Sequence, residues 1–160
     1  MNRVKQLVPL LVAALWVGFY AYRDYHFAPA TTARLTADGW TLAASSANYV
    51  WPWHPWTLVR TPVTTLWFMR FHQAKRISPG VISVPELRVV YNYGPIESEE
   101  NLSIYDLRNS RQTVVPPGTS AANIDLTQLK WFRPEPGTPG EHLMNYVRAK
   151  LATSPPTTGQ

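Results

Sequence analysis

The sequence predicts a single N-terminal transmembrane helix followed by a small, mainly β (α+β) extramembrane domain, with an antiparallel sheet or sandwich and a C-terminal helix. Three features indicate this architecture: an uncharged apolar run at residues 7–22, several short β-prone runs between residues 81 and 115, and a helical pattern at residues 141–152. With 160 residues and 45% hydrophobic content, the chain has material for one domain of roughly 100 residues plus extensions. The formal net charge of +5 selects no class of partner by itself.

The apolar run at residues 7–22 predicts a membrane anchor. Sixteen helical residues span about 24 Å, somewhat less than a hydrocarbon core of about 30 Å, and the aromatic residues that follow extend the segment. Because Arg3 and Lys5 precede the run, the positive-inside rule places residues 1–6 in the cytoplasm and the main domain in the periplasm of a bacterial inner membrane. We therefore predict an uncleaved anchor at residues 7–25, with a cleaved signal peptide or a buried core helix as the alternatives.

The segment after the anchor combines tryptophan with positive charge. Residues 26–39 are predicted to be a linker, and residues 40–76 then contain five of the seven tryptophans and no acidic residue. Aromatic and cationic side chains together suit a surface between lipid and water, and the alternative is that they cap a small core. The residues predicted to contact the membrane or a partner are Trp16, Tyr20, Tyr22, Trp51, Trp53, Trp56, Arg60, Trp67, Arg70 and Phe71.

Residues 62–76 are predicted to form a short helix within this interfacial segment. A threonine followed by a proline resembles a helix cap and a first-turn proline. Such a helix would be apolar over much of its girth, with Arg70 inside the apolar stripe. A strand at residues 64–71, with Trp67, Met69 and Phe71 on one face, is the alternative.

Residues 77–133 are predicted to form the β-rich domain. The β-prone runs lie at residues 81–84, 87–93, 102–107 and 112–115, separated by turn signals rich in proline, glycine and asparagine. Because four strands are few for a closed sandwich, segments at 40–49 and 123–132 are expected to complete it.

The remaining segments are a loop, a helix and a tail. Glu97, Glu99 and Glu100 are predicted to form a solvated acidic loop between two strands. Residues 134–152 are predicted to be a turn rich in proline and glycine followed by the C-terminal helix. Residues 153–160 are expected to be a flexible polar tail.

The sequence predicts no catalytic residue, no metal site and no cofactor. The absence of cysteine excludes disulfides, thiolate catalysis and thiolate-bound zinc or iron–sulfur centres. The four histidines are scattered, and no HExxH, GxSxG, P-loop or dinucleotide motif is present. His54, which lies among tryptophans, is a weak candidate for binding a cofactor. A hydrogen-bonded histidine in an aromatic cluster is the simpler interpretation, because one ligand alone makes no site.

These features predict a non-catalytic accessory or scaffold subunit rather than an enzyme. Its transmembrane helix and periplasmic domain would stabilise a larger integral-membrane complex, either photosynthetic or respiratory, or a secretion or conjugation assembly. The expected partners are the lipid bilayer and the other subunits, with no nucleic acid. The alternative is a membrane-anchored periplasmic module that binds glycans, which requires exposed, coplanar tryptophans on the β domain.

Overall fold

The computed structural model describes residues 2–47, 54–91, 95–119 and 124–153, with side chains described from residue 7 onward except at positions 55 and 58. Trp51 and Trp53, and most of the predicted tail, lie outside the described residues. The helices and strands are α1 (Asn2–Ala37), β1 (Thr41–Ala47), β2 (Val63–Met69), β3 (Lys75–Ser78), β4 (Val81–Tyr91), β5 (Ile96–Asp106), β6 (Arg111–Val115) and α2 (Pro139–Thr153). Two short 3-10 helices, Pro55–Leu58 and Phe71–Gln73, lie between strands.

Helix α1 is 36 residues long and includes both the predicted anchor and the predicted linker. The prediction of a linker at residues 26–39 is therefore wrong, because residues 26–37 are helical. Phe27 and Leu35, two helical turns apart, are buried in the core beneath α1, and this packing stabilises the helix. Pro29 is exposed within the helix, so its ring costs one backbone hydrogen bond without disturbing the buried face.

The N-terminal half of α1 exposes its apolar side chains. The stretch Leu7–Ala37 is long and apolar enough to cross a membrane, and only 6% of its most apolar window is buried. A core helix of the same composition would be mostly buried, whereas a signal sequence would pass the same test. The structure is therefore compatible with a single-pass membrane protein.

The six strands form one antiparallel sheet in the order β1-β2-β4-β5-β6, with β3 also paired to β4. Strands β2 and β3 lie along the same side of β4, where Met69 pairs with Glu86 and Lys75 pairs with Ser83. The 3-10 helix Phe71–Gln73 separates them. Together β2 and β3 form one interrupted strand beside β4.

The prediction of a helix at residues 62–76 is wrong, and β2 confirms the alternative of a strand in this region. Leu66 and Phe68 lie in the core next to α1, whereas Trp67 and Met69 lie in the core next to α2. Successive side chains of a strand point to opposite faces, and here both faces are covered. A strand buried on both faces is apolar at nearly every position, which is why its sequence resembles an apolar helix.

The predicted run at residues 81–84 and the described part of the run at 87–93 belong to one strand, β4, which continues through Pro85 and ends at Tyr91. Pro85 is opposite Leu102 of β5, and on its other side the Pro85 carbonyl accepts a hydrogen bond from the Arg70 N–H at 3.1 Å. The proline thus lacks a donor but still contributes an acceptor, so the strand is not broken.

The prediction of an acidic loop is also wrong. Glu97, Glu99 and Glu100 lie exposed within β5, opposite the C-terminal half of β4. Strand β6 pairs with the other half of β5 and ends at Val115, directly before two prolines. Charged side chains on a strand that extends past its neighbour oppose pairing with other chains.

The predictions of strands near residues 102–107 and 112–115 are confirmed by β5 and β6. Of the two segments expected to complete the sheet, residues 40–49 contain β1. In the described part of residues 123–132, only Phe132 pairs with the sheet, through a bridge to Gln112.

The two helices pack against opposite faces of the sheet, so the domain has three layers rather than two sheets. The cluster beside α1 contains Phe27, Leu35, Trp40, Leu66, Phe68, Val89 and Tyr91. The cluster beside α2 contains Ala44, Met69, Ile82, Val84, Tyr105, Leu143, Met144 and Val147. A third cluster, at Val81, Ile104 and Val115, is covered by apolar residues of the segment 124–131. Helix α2 confirms the predicted C-terminal helix.

Candidate functional site at the junction of helix and sheet

A buried aspartate lies where the apolar half of α1 meets the β domain. Asp24 exposes only 1% of its surface. The indole N–H of Trp56 donates to Asp24 Oδ2 at 2.9 Å, and the hydroxyl of Tyr91 donates to Oδ1 at 2.9 Å. His54 Nδ1 lies 2.9 Å from Oδ2. We refer to Asp24, His54, Trp56 and Tyr91 as the junction cluster.

The local structure of residues 54–60, the junction turn, presents His54 and Trp56 to α1. Pro55 begins a 3-10 helix, where its missing N–H is tolerated. The backbone N–H and the hydroxyl of Thr57 both donate to the His54 carbonyl, at 2.9 and 2.8 Å. These bonds close the turn, and in it the ring centroids of His54 and Trp56 lie 4.8 Å apart.

The Tyr25 side chain attaches α1 to backbone carbonyl groups of the same turn. Its hydroxyl lies 2.8 Å from the carbonyl oxygen of Trp56 and 2.7 Å from that of Arg60, and it donates to these two acceptors. The ring of Tyr20, about one helical turn earlier, contacts the His54 ring with a centroid distance of 6.3 Å. Residues 20–25 of α1 thus hold the junction turn at both ends.

The sheet side of the cluster is fixed by aromatic and cationic contacts. Tyr91 stacks on Phe27 of α1 with ring centroids 5.0 Å apart. The guanidinium of Arg23 lies 4.7 Å from the Tyr20 ring centroid and 5.3 Å from that of Tyr91, both within the range of cation–π attraction. Burial and the neighbouring Asp24 carboxylate raise the pKa of Tyr91, so its hydroxyl keeps its proton and remains a donor.

The junction cluster connects α1 to the junction turn and to β4. Trp56 and Tyr91 donate to one carboxylate and the His54 ring nitrogen lies within hydrogen-bond distance of it, so three groups from two other segments of the chain converge on Asp24. Among the described residues, no three His, Cys, Asp or Glu side chains converge as a metal site requires. The chemical role that this geometry supports is to fix α1, the junction turn and β4 in one arrangement.

A second buried carboxylate, Glu86, lies within the sheet. The hydroxyls of Ser103 and Tyr105 on β5 both donate to its Oε2 atom, at 2.7 and 3.0 Å. Burial raises the pKa of Glu86 despite these two hydrogen bonds. Burial also raises the pKa of Tyr105, and the nearby carboxylate adds to that shift.

A third carboxylate, Asp106, lies where β5 turns into β6. Burial acts to raise its pKa, but hydrogen bonds from Asn109 and Arg111 outweigh that effect and lower it. Arg111 also lies over the Trp131 ring, 4.5 Å from its centroid. This group therefore fixes the β5–β6 turn and the segment that covers the end of the sheet.

The predicted interface residues that the structure describes lie at the junction, on the exposed part of α1, and on or beside the sheet. Tyr20, Trp56 and Arg60 come together at the junction, whereas Trp16 and Tyr22 are exposed on α1.

The other predicted interface residues that the structure describes lie on or beside the sheet. Trp67 and Phe71 pack against the cluster beside α2. The Arg70 guanidinium lies over the Trp40 ring, 4.3 Å from its centroid. Their contacts with membrane or partner stay predictions.

His54 is part of a hydrogen-bonded aromatic cluster, as the simpler interpretation of the sequence expected. Sequence reasoning missed Asp24 and Tyr91, which complete that cluster. One signal was available, because Asp24 is the only acidic residue in the first 37 positions and lies two positions after the end of the apolar run. No pattern in the sequence connects it with Tyr91, which is 67 positions away.

The tryptophans of the domain that the structure describes do not form an open platform. Trp40 is buried, and Trp56, Trp67 and Trp131 are each half-buried. Glycan binding by stacked tryptophans requires exposed ring faces. The described tryptophans therefore give the glycan-binding alternative no support.

The sequence matches no protein-family model, and neither a curated protein nor a solved structure matches it.

Proposed function

We propose that this protein is a non-catalytic, membrane-anchored accessory or scaffold subunit of a larger integral-membrane complex. Helix α1 would lie among the other membrane helices, and the β domain would hold neighbouring subunits outside the bilayer. By analogy of shape, the candidates are a photosynthetic or respiratory complex, or a secretion or conjugation assembly. Positive residues before the apolar run favour a bacterial inner membrane with a cytoplasmic N-terminus and a periplasmic domain.

The observation that best supports this proposal is the rigid connection between anchor and domain. Helix α1 is continuous from the apolar half into the core of the domain. The junction cluster and Tyr25 then attach the neighbouring turn and β4 to the same helix. A scaffold must fix the position of its domain relative to the membrane, and a continuous helix does so without the freedom of a flexible linker.

The exposed half of α1 supports a role among other membrane helices. Leu7, Leu11 and Leu15 lie on one side at helical spacing, and each is exposed in the isolated chain. Gly18 has no neighbouring atom within 4 Å of the position of an added Cβ, so its surface is open. Small residues on a membrane helix let another helix approach closely.

The test is extraction of the tagged protein from native membranes in a mild detergent, followed by identification of the proteins that co-purify. The proposal expects stoichiometric recovery with the subunits of one larger complex. Asp24→Ala, which loosens the junction, should reduce that recovery, whereas Asp38→Ala at an exposed position should not. Recovery of the wild-type protein as a lone monomer that binds isolated envelope glycan would overturn the proposal.

A further inference from the structure

The junction turn exposes an apolar side chain beside a cationic one. Val59 exposes 91% of its surface, the largest exposed fraction among the large hydrophobic residues that the structure describes. Arg60 follows it and is also exposed. Val59 takes part in the turn through its backbone N–H, which donates to the Trp56 carbonyl at 3.1 Å, and its apolar side chain contributes no hydrogen bond.

The turn lies at the level of α1 where the apolar run ends. The Arg60 carbonyl is 2.7 Å from the Tyr25 hydroxyl, and the His54 ring contacts that of Tyr20. Side chains of a helix lean towards its N-terminus, so the Tyr25 hydroxyl lies nearer the apolar run than its own backbone does. Residues 7–25 of a helix extend about 28 Å, close to the thickness of a hydrocarbon core.

We propose that the junction turn is a second membrane contact, in which Val59 enters the boundary between headgroups and acyl chains and Arg60 binds the phosphate of anionic phospholipids. This proposal rests on the membrane placement given under the proposed function. An exposed aliphatic side chain next to a guanidinium suits this boundary, where the first loses contact with water and the second pairs with phosphate.

A second contact with the bilayer would fix the orientation of the domain as well as its distance from the membrane. A single helix fixes the distance of the domain from the bilayer but leaves it free to rotate about the helix axis. The junction turn lies beside α1, off that axis, so its contact with lipid opposes both rotation and tilt. Because Asp24 and Tyr25 attach the turn to α1, the contact would set the orientation of the whole sheet.

The experiment measures the depth of single nitroxide labels on the full chain in lipid nanodiscs. The chain contains no cysteine, so each Cys substitution introduces one labelling site without other changes. Val59→Cys is compared with Leu15→Cys on the apolar half of α1 and with Val114→Cys, which is exposed on the outermost strand β6. Collision rates with oxygen and with a water-soluble nickel complex report whether each label lies in lipid or in water.

We expect the label at position 59 to collide several-fold less with the nickel complex, and more with oxygen, than the label at position 114. Equal collision rates at positions 59 and 114, with position 15 in lipid, would overturn this inference and leave the proposed function standing. A label at position 15 that lies in water would overturn both. Protection of position 59 from both reagents would indicate cover by protein, which also overturns the lipid contact.

The phosphate contact has its own test. Nanodiscs that contain phosphatidylglycerol should place the label at position 59 deeper than nanodiscs of phosphatidylcholine alone. Arg60→Gln should abolish that difference, whereas Arg34→Gln, an exposed arginine further along α1, should preserve it. No dependence on anionic lipid in the Arg60 protein, or an equal effect of both substitutions, would overturn the role of Arg60.

Discussion

Asp24 and Glu86 are both buried carboxylates in one small domain, but their surroundings differ. Asp24 receives hydrogen bonds from residues 30, 32 and 67 positions away, on two other segments of the chain. Glu86 receives them from residues 17 and 19 positions away, on the adjacent strand of the same sheet. Asp24 lies in the α1 layer, and Glu86 lies within the sheet itself.

The difference shows that burial alone does not define what a carboxylate does. The three hydrogen-bond partners of Asp24 are distributed over both of its oxygens. Both donors to Glu86 bond the same oxygen, and burial raises its pKa. Asp24 therefore joins α1 to the junction turn and to β4, three parts of the chain that no strand ladder connects, whereas the ladder already joins the two strands around Glu86.

Asp24→Ala should have the largest effect of the changes considered. It leaves the part-buried Trp56 N–H and the buried Tyr91 hydroxyl without their acceptor, and a buried group without a partner costs about 1–3 kcal/mol. We expect the free energy of unfolding to fall by about 3 kcal/mol or more, measured by urea denaturation in detergent with tryptophan fluorescence. Asp38→Ala, at an exposed position, is the matched control and should change little.

Substitution of Tyr91 and of Tyr105 compares the hydrogen bonds to Asp24 and Glu86 directly. Tyr91→Phe removes a donor to the charged Asp24 and should cost about 2 kcal/mol, the value for a hydrogen bond to a charged group. Tyr105→Phe removes one of two donors to the same Glu86 oxygen and should cost about 1 kcal/mol. The same denaturation series measures both variants. If Tyr105→Phe proved the more costly of the two, the distinction drawn here between the two carboxylates would be wrong.

The sequence predicts those features that depend on local patterns. The apolar run of α1, the start signal of α2 and the β-prone run of β6 each lie within one element, and the structure contains all three elements. Strand β2 is harder to predict from the sequence. Both of its faces are covered, so it lacks the alternation of apolar and polar residues that identifies a strand. The apolar pattern of β2 depends on α1 and α2, which cover its two faces. Both helices lie outside the short stretch of sequence from which a strand is predicted.

The candidate site is less predictable than the fold. His54 was recognised as part of an aromatic cluster, because Trp56 is two residues away in the sequence. Asp24 and Tyr91 meet only because β4 ends beneath α1, and that depends on the whole sheet topology. A contact between residues so far apart leaves no periodicity or spacing in one sequence by which it could be identified.

Glu86→Gln tests the sheet carboxylate through pH. The pKa of Glu86 is raised in the folded protein, so just above its ordinary value of 4.5 the folded chain holds a proton that the unfolded chain has lost. Stability therefore falls as pH rises through that window and stays lower above it. A glutamine still accepts both hydroxyl hydrogen bonds but carries no charge, so the variant should lose this pH dependence. At neutral pH it should be as stable as the wild type or more stable by about 1 kcal/mol.

Glu99→Gln makes the same chemical change at an exposed carboxylate and should have the smallest effect. Glu99 Oε2 lies 4.0 Å from Arg88 Nη1, and both side chains are largely exposed, at 63% and 48%. Exposed ion pairs contribute about 0–1 kcal/mol, so we expect a loss below about 0.5 kcal/mol that salt reduces further. Denaturation at two ionic strengths measures it. An effect as large as that of Tyr91→Phe would show that charge at this end of the sheet, rather than burial, decides the energetic role of its carboxylates.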